Sequence, residues 1–333
     1  ENFLNIQEQF EYLEDVLKNI KKYFKDQPEI LDPLTSYLII ICYLHHQMHL
    51  EVFYFLKNQL RLEQKSIRFK SIKNFINIEF KDVDGGYFIQ GKDYSSNTFI
   101  NWDNECPAFE VKVNSFKVSK HLITCQQFLD FIENNGYDDK KYWSREGWRF
   151  KEKNKINLPA NWIKKNNKYY RIHFNKEYDL EPDFPVMMIS YYEAEAFANY
   201  HNSRLPTETE LEYLMTNGGK TKYPWGDDIK ENICNNCYSG DICSVLEFKE
   251  NINQFGVSNL FGNVWEWTKT PFYPYNGFEI DQCYERFSYP FFFFRNIIKG
   301  ASWATNFDLT YPQYRNSQPK ETRFQFIGFR IIK

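Results

Sequence analysis

Apolar residues at Phe3, Leu4, Phe10, Leu13, Val16, Leu17 and Ile20 recur at spacings of three and four. That period predicts a helix with one apolar stripe. Asp32-Pro33 marks a break, and Pro33 suits the first turn of a second helix over about residues 34–60. Two helices of this length cannot bury their own stripes, so the pair reads as half of a four-helix bundle over residues 1–62. A basic, polar linker follows at 63–82. From Gly85-Gly86 the pattern shortens. Residues 87–90, 109–113 and 116–118 read as strands between turn residues. Thr124 caps a helix closed by Asn135-Gly136. Ser190 with Glu193 forms a capping box for a helix over 190–202. Beyond Pro224 the chain is rich in Gly, Asn and aromatics and shows little regular period. The fold class is α+β, with a third unit at 83–333.

Composition narrows the function classes. A formal net charge of −3 over 333 residues gives no basic face for nucleic acid. Hydrophobic residues at 42% are enough for a core, so disorder is excluded. The longest apolar run, 37–44, is too short to span a bilayer. Seven scattered cysteines make no disulfide framework and point to a cytoplasmic, reducing compartment. The recurrence of Asn, Ile, Phe and Tyr reads as a bias of genome composition.

Candidate chemistry starts at His45-His46-Gln47-Met48-His49-Leu50-Glu51. His45 and His49 are four apart, so on a helix they share a face and could bind one metal. Zinc peptidases carry Glu directly after the first His; here that position is His46, so their general base is missing. On spacing alone, a metal pair and two hydrogen-bonded histidines at a bundle seam stay equally open.

Further on come Asn135-Gly136-Tyr137, Tyr142-Trp143-Ser144-Arg145-Glu146-Gly147-Trp148, Arg204-Leu205-Pro206-Thr207-Glu208 and Tyr223-Pro224-Trp225-Gly226-Asp227. Asn259-Leu260-Phe261-Gly262-Asn263-Val264-Trp265-Glu266-Trp267, Lys299-Gly300-Ala301-Ser302-Trp303 and Gly328-Phe329-Arg330 complete the series. In this order the motifs resemble the formylglycine-generating-enzyme fold, a C-type-lectin-like α+β domain, over about 83–333. The resemblance makes Trp265, Trp267 and Arg330 packing residues. True formylglycine-generating enzymes bind copper through two cysteines near the C-terminus. Here the last cysteine is Cys283, so that activity is not expected. Sulfoxide synthases of ergothioneine-type biosynthesis instead join this fold to a DinB-like bundle carrying H-x-x-x-H-x-E, which His45, His49 and Glu51 match.

The resemblance to these synthases implies Fe(II) held by three histidines, O2, a cysteine-type thiol and a histidine derivative such as hercynine. His45 and His49 would be two of the iron ligands. Tyr284, before Pro290-Phe291-Phe292, matches the catalytic tyrosine, and a second family tyrosine is Phe287 here. Met48, Asn316 and Gln318 match positions that touch the imidazole substrate. Ser317 and Gln318 depart from the Trp-Asp pair of one branch. Asn259, Gly262, Val264 and Glu266 match a calcium site of the wider fold. Cys234, Cys237 and Cys243 lack an evident fourth ligand for zinc.

Two departures stand out. No His precedes His45 and no Arg precedes Arg61, so one iron ligand and the arginines that grip the thiol's carboxylates in one branch have no counterpart. The chain opens at Glu1 inside a helical pattern, which suggests a fragment of a longer synthase. The rivals are a selenoneine- or ovothiol-type synthase and a non-catalytic lectin-like binding module. Val52-Phe53 after Glu51, where the free-cysteine enzymes run on to Thr-Ser, weighs against the ovothiol type.

Overall fold

The computed structural model describes residues 5–26, 32–65, 69–72, 75–95, 101–230 and 232–333. Phe3 and Leu4 of the first apolar stripe lie outside the described residues. The chain divides into two compact units, 1–43 and 44–333.

The first unit holds α1 (Ile6–Asp26) and the start of α2 (Pro33–Gln59). The break at Asp32-Pro33 falls where the sequence places it. Asp32 accepts the Thr35 amide at 3.1 Å, as an N-terminal capping carboxylate does. No described residue of α1 is buried, and Phe10 is 60% and Leu17 46% exposed. The stripe is therefore a helix face without a covering layer among the described residues.

The second unit runs from the C-terminal half of α2 through a mixed domain. In chain order its elements are β1 (Phe80–Val83), β2 (Gly86–Gln90), β3 (Phe109–Val113), β4 (Phe116–Ser119), α3 (Cys125–Glu133) and α4 (Arg145–Asn154). Next are β5 (Trp162–Lys165), β6 (Lys168–His173), β7 (Lys176–Asp179), α5 (Tyr191–Tyr200) and α6 (Glu208–Met215). The chain ends with β8 (Trp265–Pro271), β9 (Asn296–Lys299), β10 (Asn316–Gln318) and β11 (Ile327–Gly328).

The sheets are small. β1 pairs β4 and β2 pairs β3, both antiparallel. The strands β5-β6-β7 form a meander. The four-stranded sheet has the order β10-β9-β8-β11, with β11 parallel to β8. The capping box read at Ser190 with Glu193 is present, and the Thr124 cap read from the sequence is completed into a box by Gln127.

The region past Pro224 lacks a period because side chains, not ladders, hold much of it. Asn263 accepts the Cys243 amide at 2.9 Å and donates to the Cys243 carbonyl at 3.0 Å. Asn253 accepts from Phe255 and Val257 and donates to Leu214. Asn251 donates to the Phe261 carbonyl. Buried loop backbone must find such partners. Asn also tolerates positive φ, as at Asn259 (55°) and Asn263 (70°). These asparagines are structural, which corrects the reading of Asn as genome bias alone.

Trp265, Trp267, Trp303 and Arg330 are at most 2% exposed. Gly328 leaves space where a Cβ would lie 2.4 Å from the Val186 carbonyl oxygen, so the third position before Arg330's neighbour Ile331 admits no side chain.

Candidate functional site

The C-terminal half of α2 presents two faces to its own unit. Gln47, Glu51 and Asn58 lie on one, at spacings of four and seven. Glu51 Oε1 accepts the Trp265 indole N–H at 2.8 Å and the Ser302 hydroxyl at 2.6 Å, and Oε2 accepts Thr305 at 2.9 Å. Gln47 accepts Tyr238 Oη at 2.7 Å and Asn306 Nδ2 at 2.9 Å. Asn58 accepts the Phe174 amide at 2.6 Å. Glu51, the acid of the H-x-x-x-H-x-E pattern, therefore anchors the helix and does not face the cavity. Burial raises its pKa, against the three hydrogen bonds that lower it. Glu51→Ala is expected to cost about 2 kcal/mol, since it strands buried donors. Urea unfolding at neutral pH checks this, and a loss under about 0.5 kcal/mol would contradict the anchoring role.

On the adjoining face His45, Met48, His49 and Val52, at i, i+3, i+4 and i+7, line a cavity of about 370 Å³. The opposite walls bring Tyr284, Asn316, Ser317 and Tyr314. Residues more than two hundred positions apart in the chain thus meet around one small-molecule-sized space.

His45 and His49 have ring centroids 4.5 Å apart at 43°. His45 Nδ1 is hydrogen-bonded to the Tyr284 hydroxyl. Burial first, then the neighbouring His49 and His46, lowers the His45 pKa. A neutral ring keeps a lone pair on one of its two nitrogens, the form that ligates metal. His46 is exposed and does not line the cavity.

Tyr284 is fixed by its neighbours. Its ring stacks on Phe287 at 5.2 Å and 30°, and Phe287 stacks on Trp102 at 4.2 Å and 25°. Ser288 closes the segment by a hydrogen bond to Asp103 and by accepting Asn104 Nδ2 at 2.8 Å. Phe287, where the family pattern has a second tyrosine, is thus the packing step between Trp102 and Tyr284.

Met48 Sδ accepts Tyr314 Oη at 3.2 Å. Burial raises the Tyr314 pKa, so it stays a protonated donor. Asn316 opens β10 opposite Ile298 and receives the Ser317 amide on its own Oδ1 at 2.7 Å. Gln318 is not part of the cavity wall. It ends β10 opposite Asn296, and Ser317 takes the wall position instead.

Two adjacent imidazoles suit a metal with nitrogen ligands, so the donor pair fits iron. No group of three or more His, Cys, Asp or Glu is placed to hold a metal ion among the described residues. The residues read as a calcium site sit around Arg330. Both oxygens of Glu266 are taken by Arg330, from Nε at 2.6 Å and Nη2 at 2.8 Å. The Asn259 carbonyl accepts Arg330 at 3.0 Å, and the Gly262 carbonyl accepts the Val264 amide at 2.9 Å. Glu266 and the Asn259 carbonyl thus hold a buried guanidinium. Cys234, Cys237 and Cys243 are in no disulfide and belong to no such metal group among the described residues.

Sequence reasoning passed over Arg295, Arg286 and Asn104, which also line the cavity. The signal available for Arg295 was a cation closing the aromatic run 291–294.

Residues 76–333 match the model of the sulfatase-modifying factor enzyme 1-like domain. Hercynine oxygenase of Mycobacterium tuberculosis is 32% identical over 252 residues, which is 73% of this chain and 58% of that protein. Hercynine oxygenase of Mycolicibacterium thermoresistibile is 33% identical over 256 residues, 73% of this chain and 56% of that protein. The chain therefore spans less than two thirds of the length of these relatives. Formylglycine-generating enzyme of Mycobacterium tuberculosis is 28% identical over 236 residues, covering 60% of this chain and 76% of that protein. Among solved structures, PvdO from Pseudomonas aeruginosa superposes with a TM-score of 0.54 at 18% identity, over 81% of this chain and 99% of that one. That likeness concerns the fold alone.

Proposed function

Because this chain belongs to the sulfatase-modifying factor enzyme 1-like family, we propose that its cavity serves oxidative carbon–sulfur bond formation. The substrates are a cysteine-type thiol and the imidazole of a histidine derivative of the hercynine kind, with Fe(II) as cofactor and O2 as oxidant. The balance is RSH + ImH + O2 → RS(O)Im + H2O. Residues 1–62 are read as part of a DinB-like bundle. The observation that carries the reading is the meeting of His45, His49 and Tyr284 around one cavity. The names of two relatives at about one-third identity support it.

His45 and His49 would hold the iron, which would supply Lewis acidity and the redox chemistry that O2 requires. Everything else is done by the chain's own groups. Tyr284 offers a phenolic proton at the cavity wall, held in place by the stacked Phe287 and Trp102. Met48 and Tyr314, tied to each other, shape the side where the imidazole substrate would lie. Asn316 presents its amide at the same edge. The thiol alone can also be oxidised, RSH + O2 → RSO2H, and an early proton from Tyr284 favours the route that forms the C–S bond.

Tyr284→Phe tests the role of the phenol. The rate of sulfoxide formation should fall about 100-fold while thiol and O2 are still consumed to sulfinic acid. Bound iron is measured in parallel, since the phenol also touches His45. An unchanged sulfoxide-to-sulfinate ratio by mass spectrometry, with iron retained, removes Tyr284 as donor. Selenol and free-cysteine rivals are separated by offering each donor in turn.

A further inference from the structure

The cavity wall carries cations without acids. Arg286, Arg295 and Arg315 line it, and no Asp or Glu does among the described residues. Arg315 is already committed to Glu208, at 2.6 and 3.1 Å. Arg295 is not committed to any carboxylate among the described residues.

That contrast is specific to this position. Each of the other buried or half-buried arginines faces a carboxylate. Arg171 meets Glu181 at 2.9 Å and Arg204 meets Glu210 at 2.8 Å. Arg323 meets Glu193 at 2.7 Å and Arg330 meets Glu266 at 2.6 Å. Arg295 is half-buried, with its guanidinium carbon 3.6 Å from the centroid of the Phe291 ring. Burial lowers its pKa, and no acid offsets that effect. Stacking on Phe291 leaves the edge of the guanidinium plane free for an in-plane acceptor pair. A half-buried cation without a partner costs stability and is kept where a ligand completes it. Arg286, exposed and two residues after Tyr284, adds a second positive charge to the same cavity.

We infer that Arg295, assisted by Arg286, binds the carboxylate of an amino-acid-type substrate whose reactive end reaches His45, His49 and Tyr284. This deepens the proposed function and rests on it for the identity of the substrate. The carboxylate could belong to the thiol or to the histidine derivative, and matched ligand pairs tell them apart. A carboxylate receiving two charge-assisted hydrogen bonds from a planar guanidinium is held in orientation as well as in place.

The test is equilibrium binding to the metal-free protein of L-cysteine against cysteamine and of L-histidine against histamine. Each pair differs by the carboxylate. The protein should bind the carboxylate member of at least one pair about tenfold or more tightly. The pair that shows the preference names the substrate held there. Arg295→Met should abolish the preference, Arg295→Lys should keep part of it, and Arg286→Gln should weaken it less. The melting temperature of ligand-free Arg295→Met should be unchanged or higher, which separates loss of binding from loss of fold. A preference that survives Arg295→Met, or no preference in the parent protein for either pair, overturns the inference. An Arg295-dependent preference without any sulfoxide product would sink the proposed function and leave the anion site standing. Sulfoxide made by Arg295→Met at unchanged KM for both substrates would do the reverse.

Discussion

Arg330→Met is expected to destabilise the second unit by about 4 kcal/mol, a large fraction of any domain's stability. Arg330 is fully buried. It meets both oxygens of Glu266 and donates to the carbonyls of Ser258 at 3.1 Å, Asn259 at 3.0 Å and Ser119 at 3.3 Å. Methionine preserves much of the stem volume but leaves one buried carboxylate and three carbonyl groups without their donor. The cost is the desolvation of the stranded charge rather than the worth of the ion pair itself. Arg330→Met combined with Glu266→Leu should therefore recover part of the loss. Urea unfolding followed by near-ultraviolet dichroism measures both variants. A single-variant loss below about 1 kcal/mol would show that Glu266 has another partner. Adding a calcium chelator to the parent protein should leave its melting temperature unchanged, because Arg330 already takes the acceptors read as calcium ligands. A lowered melting temperature would restore the calcium site.

The second large effect is on metal. With His45 and His49 as the two iron-binding groups of this chain, Fe(II) is expected to bind weakly but measurably under anaerobic conditions. His49→Ala should weaken it by more than about 100-fold, since even the loss of an outer partner of a ligand costs 10- to 100-fold. His49 is exposed and has no resolved structural partner beyond the ring contact with His45, so the substitution should leave the melting curve near the parent's. His46→Ala, one residue from His45 but off the cavity, is the matched control and should bind iron as the parent does. Tight, stoichiometric iron that survives His49→Ala would remove the pair as ligands.

Some of this was open to reading in the sequence, and the reasons differ by element. The cap at Thr124 and the capping box at Ser190 are local, so a few neighbouring residues sufficed. The same signal was present at Thr207 with Glu210, which caps α6, and was missed because the surrounding chain reads as loop. The His45 and His49 pair was legible because helical spacing alone puts both rings on one face. Glu51 carried the right residue type but a different role. Its partners Trp265, Ser302 and Thr305 lie over two hundred residues away, where no spacing argument reaches. The strands β8 and β9 hid for another reason: β8 is buried at five of its seven positions and β9 at all four, so neither shows a period of two. Arg295 was invisible because its significance lies in the absence of a carboxylate in three dimensions.

The most direct test of the central claim is product identity. The protein is loaded anaerobically with Fe(II), given hercynine and each candidate thiol, exposed to O2 and analysed by mass spectrometry. The account predicts a new species whose mass is that of thiol plus hercynine plus O2 less one water, formed by the parent and lost in His49→Ala. Recovery of hercynine unchanged with every thiol, while iron is bound at His45 and His49, would contradict it.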